Sequence, residues 1–224
     1  MAIHEQIQRI RNMKSLAWQT ASREDMWRGL LARLNFDDQS FPEFLEQHSV
    51  NGEISLARHD VRNIYAERPT CGVVATIIWS HARGIRVNAL SLLVRDLPNL
   101  VNLFDHDDLD ESQLSQLLSQ PGISIPTASK MLSGCGKKYR GKPAAIIDDT
   151  IIQTIESPQF HADFPAILNL RGKSRSRPMP YYEAYLEDVT AICAKHDVTA
   201  DMIDRYLSEY ALLSELETEQ RKSA

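Results

Sequence analysis

Two short stretches of this 224-residue chain carry residue types that could do chemistry together. In the first, Gln120-Pro121-Gly122-Ile123-Ser124 interrupts an apolar periodicity, and a glycine turn of this kind lets another backbone approach closely. The N–H groups of Gly122, Ile123 and Ser124, with those of the helical turn that follows, would face outward, where a phosphate oxygen can accept from them. Lys130 adds a cation in that next helix, and Lys137, Lys138, Arg140 and Lys142 come after it. In the second stretch, Ile146-Ile147-Asp148-Asp149-Thr150 presents a carboxylate pair ahead of an apolar run. A carboxylate so placed can stabilise a developing cation or activate a water; an Asp before an apolar helix is also a common start signal, so the pair can equally be a cap. A further basic group, Arg171, Lys173, Arg175 and Arg177, falls in a loop containing Gly, Ser and Pro, where it would either meet phosphates or solubilise the surface.

Helices are needed to position these groups. Ser112–Ser119 and Thr127–Ser133 both read as amphipathic helices, so Pro121-Gly122 turns the chain between them and the unit is a helix-hairpin-helix at about 112–133. Ala144 to Ile147 reads as extended, and a helix opens at Asp148 or Asp149 and runs through Ile155. Residues 1–35 predict two helices, one carrying Ile7, Ile10, Met13, Leu16 and Ala17, the next carrying Trp27, Leu30, Leu31 and Leu34 behind Ser22. Phe36, Phe41, Phe44 and Leu45 precede a turn at Asn51-Gly52; Leu56–Tyr65 is helical, and Cys71–Leu93 is a buried helix interrupted near Gly84. The acidic run Asp105–Glu111 lacks the Gly and terminal Glu spacing of a calcium loop and suits a helix N-terminus. Tyr181–His196 and Ala200–Leu216 follow as helices, with a turn at Asp197-Val198. The periodicity is helical almost throughout, so the expected fold class is all-α: a single helical domain over residues 1–224, or two small lobes.

Composition narrows the function classes. The net charge of −5 argues against nucleic acid, yet the stretch from Lys130 to Arg177 holds nine Lys and Arg against four acids, while the whole chain has 25 basic against 30 acidic residues. The basic part surrounds the hairpin. Cys71, Cys135 and Cys193 are separated and odd in number, suggesting neither a disulfide framework nor a zinc site. The N-terminus has no apolar run of the signal-peptide kind, and the longest apolar stretch, Val73–Trp79, is too short to span a bilayer, so a cytoplasmic location and no membrane partner are expected. No His-x-x-x-His pair, nucleophile elbow or Gly-rich nucleotide loop occurs, and no metal site is expected.

Pro121, Gly122, Ile123 and Ala128 fit the run Leu-Pro-Gly-hydrophobic-Gly-x-x-x-Ala, and Pro143-Ala-Ala-Ile-Ile-Asp148 is similar to the apolar approach to an Asp that follows it. On these residues the chain resembles the helix-hairpin-helix DNA glycosylase superfamily, which includes endonuclease III and the 8-oxoguanine and alkyl-base glycosylases, over roughly residues 112 to 155. Ser124 stands where that family usually has its second Gly, and Pro126 stands where bifunctional members carry a Schiff-base Lys. The form Pro126-Thr-Ala-Ser-Lys-Met-Leu132 is closer to a divergent bacterial branch with the pattern Pro-x-Ala-Ser-x-hydrophobic-Leu.

The resemblance implies a glycosylase-like helical bundle that binds DNA, as duplex, through the hairpin without reading bases, and a repair hydrolase that cleaves the N-glycosidic bond of a damaged or modified base. Asp148 would be the catalytic carboxylate, registered by the apolar Ile151 three positions on, with Asp149 the second choice. Lyase chemistry is not implied: Lys130 lies one turn beyond position 126, a shift of about 6 Å along a helix axis, which favours a surface or phosphate-contacting role. The four-cysteine cluster-binding tail of some endonuclease III relatives is missing, so no iron–sulfur cluster or other cofactor is expected. Trp79, His81, Tyr181 and Tyr182 could line a base pocket, or be core. Two other readings stay open: a superfamily member without catalysis that binds DNA or recruits partners, for instance in genome defence, and a helical protein-interaction domain in which Pro121-Gly122 is only a turn.

Overall fold

Alternation of Ile54 and Leu56 with smaller polar residues, and an Asn51-Gly52 pair, dictate a feature that helical periodicity hides. In the computed structural model, which describes residues 3–32, 40–81, 84–173 and 176–223, a 3-10 turn (Ile3–Gln6) leads into a short helix α1 (Ile7–Arg11), followed by strand β1 (Gln19–Arg23) and helix α2 (Glu24–Ala32). After α3 (Ser40–His48) come β2 (Ser49–Val50) and β3 (Glu53–Ala57). Asn51 and Gly52 join the last two with φ of 54° and 80°, the paired positive values of a two-residue hairpin. These strands form an antiparallel sheet in the order β1-β3-β2, burying Ile54 and Leu56. The chain is mostly helical with small sheets, roughly compatible with the all-α class expected. The second predicted helix of residues 1–35 starts only at Glu24, and the first stops at Arg11.

Helices α4 (Arg58–Glu67), α5 (Pro69–Ser80), α6 (Val87–Arg95), α7 (Leu97–Phe104), α8 (Glu111–Leu118) and α9 (Ile125–Gly134) follow, with β4 (Asp108–Leu109) pairing in parallel with β5 (Lys138–Tyr139). Beyond them lie β6 (Lys142–Pro143), α10 (Asp149–Ile155), α11 (Pro165–Leu168), α12 (Pro178–His196) and α13 (Ala200–Ser223). The chain divides into two units by its contacts, Leu16–Gly141 and Met1–Ser15 with Lys142–Ala224.

In the first unit α5 is the core. Every residue from Cys71 to Trp79 is buried, as an apolar helix without a polar face requires. Gly72 is obligatory there, since a Cβ would sit 2.3 Å from the Cα of Tyr65 in α4. Helix α9 packs on α5 through a buried face that includes Ala128, Met131 and Leu132. Trp79 is 4% exposed, edge-on to Trp18 at 6.1 Å, and the buried Arg58 guanidinium lies 5.1 Å from the Trp18 ring, which makes this cluster interior packing.

In the second unit α10 packs against α13 and α11 against α12. Ala144 to Ile147 belongs to neither a helix nor a strand and is buried, so its peptide groups must find partners inside. Tyr182 donates its hydroxyl to the Ala145 carbonyl (3.1 Å), Tyr185 to that of Ile146 (2.9 Å), and Asp204 accepts the Ile146 N–H (2.9 Å). Asp188 accepts from Ala166 and Ile167 at the start of α11, and burial pushes its carboxyl above the ordinary carboxylate range.

Candidate nucleic-acid interface and candidate catalytic carboxylate

The acidic run positions the hairpin. Asp110 caps α8, accepting the Gln113 N–H, while the Gln113 side chain accepts the Asp110 N–H, both at 2.8 Å. Asp108 takes the Gly141 N–H at 2.8 Å, and Asp107 pairs with Lys137 at 3.3 Å. Among the described residues no group of three or more His, Cys, Asp or Glu is arranged to hold a metal ion.

From α8 the chain turns through Ile123 N–H to Gln120 C=O (3.1 Å) and enters α9 with Ala128 N–H to Ser124 C=O (2.8 Å). Buried Ile123 and Ile125 anchor the turn, leaving Pro121, Gly122 and Ser124 exposed. Gly122 has φ +83°, and a Cβ there would lie 3.1 Å from Ala89 and 3.3 Å from Ile85, so both conformation and space select glycine. The Gln120 amide holds the turn to Asp96 at 2.6 Å. Ser124 is extended, and its side chain makes no capping bond to α9. The N–H groups of Gly122 and Ser124 donate to no acceptor among the described residues, whereas that of Ile123 is spent on the turn. Beside the hairpin runs a groove lined by Arg86, Asn88, Ala89, Leu92 and Pro121. Arg86 and Asn88 were not legible as neighbours of the hairpin, because only the packing of α6 on it brings them there.

The predicted cations fare differently. Lys138 and Arg140 are exposed in the hairpin's own unit and Lys130 is half-buried on α9. Lys137 is buried, its ammonium 4.8 Å from the Tyr65 ring centre and paired with Asp107, so it serves the fold and leaves the set of phosphate contacts. Lys142, Arg171, Lys173 and Arg177 belong to the other unit; Arg171 is engaged with Glu156 at 3.2 Å. Arg175 lies outside the described residues.

Asp148 sits directly after the pinned segment 144–147, half-buried, and its Oδ1 accepts the Ile151 N–H at 3.1 Å. It is thus the N-cap of α10, and Asp149 is the exposed first residue of that helix. Of the pocket aromatics, Tyr182 is spent on the Ala145 carbonyl, Tyr181 is buried, and Trp79 is core. No protein-family model, curated protein or solved structure matches the chain. Among the described residues, no helix is long and apolar enough to cross a membrane.

His81, at the end of α5, lies against the hairpin. Its Nδ1 is 3.0 Å from the Ile77 carbonyl, and burial, with Lys130 acting in the same direction, lowers its pKa from the ordinary 6.5. The folded state therefore prefers the neutral ring: its contribution to stability is present above pH 6.5 and is lost as pH falls through the lower folded value. The drop in melting temperature between neutral pH and about pH 5 is expected to be smaller in His81→Gln than in the wild type. Identical pH profiles for the two proteins would contradict this.

Proposed function

We propose that this chain binds duplex DNA by its phosphate backbone through the α8–α9 hairpin and hydrolyses the N-glycosidic bond of a damaged or modified base, with Asp148 as the carboxylate beside the developing sugar cation. The observation that carries the reading is the exposed, left-handed Gly122, whose N–H, like that of Ser124, donates to no acceptor among the described residues, ahead of a helix whose first turn has no side-chain cap. Lys130, Lys138 and Arg140 in the same unit supply positive charge for phosphates, and nothing in the hairpin reads base edges. Asp148 contributes a preorganised negative charge because the buried segment before it is held by three side-chain hydrogen bonds. With Pro126 at the position of a Schiff-base amine, the product is an abasic site in an intact strand.

Ser124→Asp tests the binding half without damaging the turn. Asp is as good an N-cap as Ser, so the melting temperature should hold or rise, while a carboxylate beside the amides repels phosphate. Affinity for a labelled duplex is expected to fall roughly tenfold at low salt, about 1.4 kcal/mol, and the difference should shrink as salt is raised. Wild-type affinity in this variant would remove the hairpin from the interface.

A second reading is favoured by one observation. The Asp148 carboxylate already caps α10, and a cap alone would account for an Asp at that position. The chain would then be a DNA-binding module without catalysis.

A further inference from the structure

Strand β1 leaves one side of its backbone unpaired. Its partner is β3, with Gln19 opposite Ala57 and Arg23 opposite Glu53. The bonds at either end, Arg58 N–H to Trp18 C=O and Glu24 N–H to Gly52 C=O, both 3.0 Å, place the even-numbered residues of β1 in the bonded pairs. The N–H and C=O groups of Gln19 and Ala21 and the N–H of Arg23 therefore point away from β3 and make no hydrogen bond among the described residues, while the Arg23 C=O starts the ladder of α2. The sheet ends at this strand, and all three residues are exposed. From inside, the strand is fixed by buried Ser22, whose hydroxyl accepts the Trp27 indole N–H at 2.7 Å. Proteins usually blunt such an edge with Pro, charged side chains, a bulge or a covering element; of these β1 carries only Arg23, at its end, among the described residues.

We propose that β1 is a self-association edge, through which two copies of this chain pair antiparallel about a two-fold axis at Ala21. A second copy fits because the edge is self-complementary. Centring on Ala21 sets Ala21 against itself and Gln19 against Arg23 in both directions, so the Ala21 N–H meets the Ala21 C=O and the Arg23 N–H meets the Gln19 C=O of the other copy. Charge fits as well. Arg23, Glu24 and Asp25 at one end of the strand come opposite the uncharged Gln19, Trp18 and Ala17 of the second copy, and no like charges oppose. The sheets then join as β2-β3-β1 with β1-β3-β2 of the second copy. Three bonded residue pairs make a small interface, so the dimer should depend on concentration.

Sedimentation of the full chain over a range of concentrations tests this. The weight-average mass is expected to climb from 25.4 kDa towards twice that value. Ala21→Pro deletes one outward N–H and leaves the ladder to β3 intact, and Ala21→Lys sets two ammonium groups at the axis; both should remain at monomer mass with wild-type circular dichroism. Having two variants keeps the test decisive if one of them fails to fold. A wild type that stays monomeric up to about 1 mM overturns the proposal. So does a dimer that a folded Ala21→Lys or Ala21→Pro retains, because another face then makes it; so too does an edge that accepts an extended peptide but no second copy.

Discussion

Asp148→Asn should slow base release by on the order of 10²-fold in a single-turnover assay across a panel of damaged duplexes, while leaving DNA affinity unchanged or slightly higher. The carboxylate would face a sugar acquiring positive charge, and an amide of the same shape offers no compensating charge. The capping bond makes the control informative. Asn accepts the Ile151 N–H as Asp does, so the melting temperature should hold, whereas Asp148→Ala should lose about 1 kcal/mol of stability. Base release undiminished in Asp148→Asn would transfer the assignment to Asp149→Asn. If both variants are active the hydrolytic reading falls, and if the wild type releases no base from any duplex the binding module is what remains.

Asp204→Ala should destabilise the protein by about 2–3 kcal/mol, far more than its small change in volume suggests. Its side chain is 0% exposed and accepts the N–H of Ile146, itself buried, so truncation strands a donor in the interior. Asp204→Asn keeps an acceptor and should cost less. Tyr185→Phe removes one hydroxyl from the neighbouring carbonyl and should cost about 1 kcal/mol. Urea unfolding of the three variants measures the series, and a loss below about 0.5 kcal/mol in Asp204→Ala would show that another group takes over the Ile146 N–H.

Helices with one apolar face were legible in the sequence. The α8 and α9 pair, the break at Gly84, the left-handed turn at Asp197 and the use of Asp105–Glu111 ahead of a helix follow from periodicity and punctuation. The sheet was not legible. β1 offers only Thr20 and Ser22 to the interior, too little alternation to signal a strand, and Asn51-Gly52 declares a hairpin only when the short runs on either side are read as strands. The apolar spacing of Ile7, Ile10, Met13 and Leu16 continues past Arg11, yet the helix does not: Ile10 is buried in one unit while Leu16, 42% exposed, begins the other. Around the candidate site, Gly122 announced its own conformation. The buried state of Lys137 and Asp204 was hidden, because a charged residue on an amphipathic segment ordinarily faces water and only a distant partner reverses that.

The split of the chain into a continuous unit and one assembled from both ends sets an order of events during synthesis. Leu16–Gly141 is continuous in sequence, so its internal contacts can begin to form once residue 141 has left the ribosome. The other unit cannot. Ile3 donates its N–H to Asp163 across 160 positions, Arg11 reaches the His196 carbonyl across 185, and Ile146 waits for Asp204. These partners lie 58 to 185 positions apart, so the segment that leads to Asp148 is held by contacts that close over long stretches of chain, unlike those of a unit made from continuous sequence.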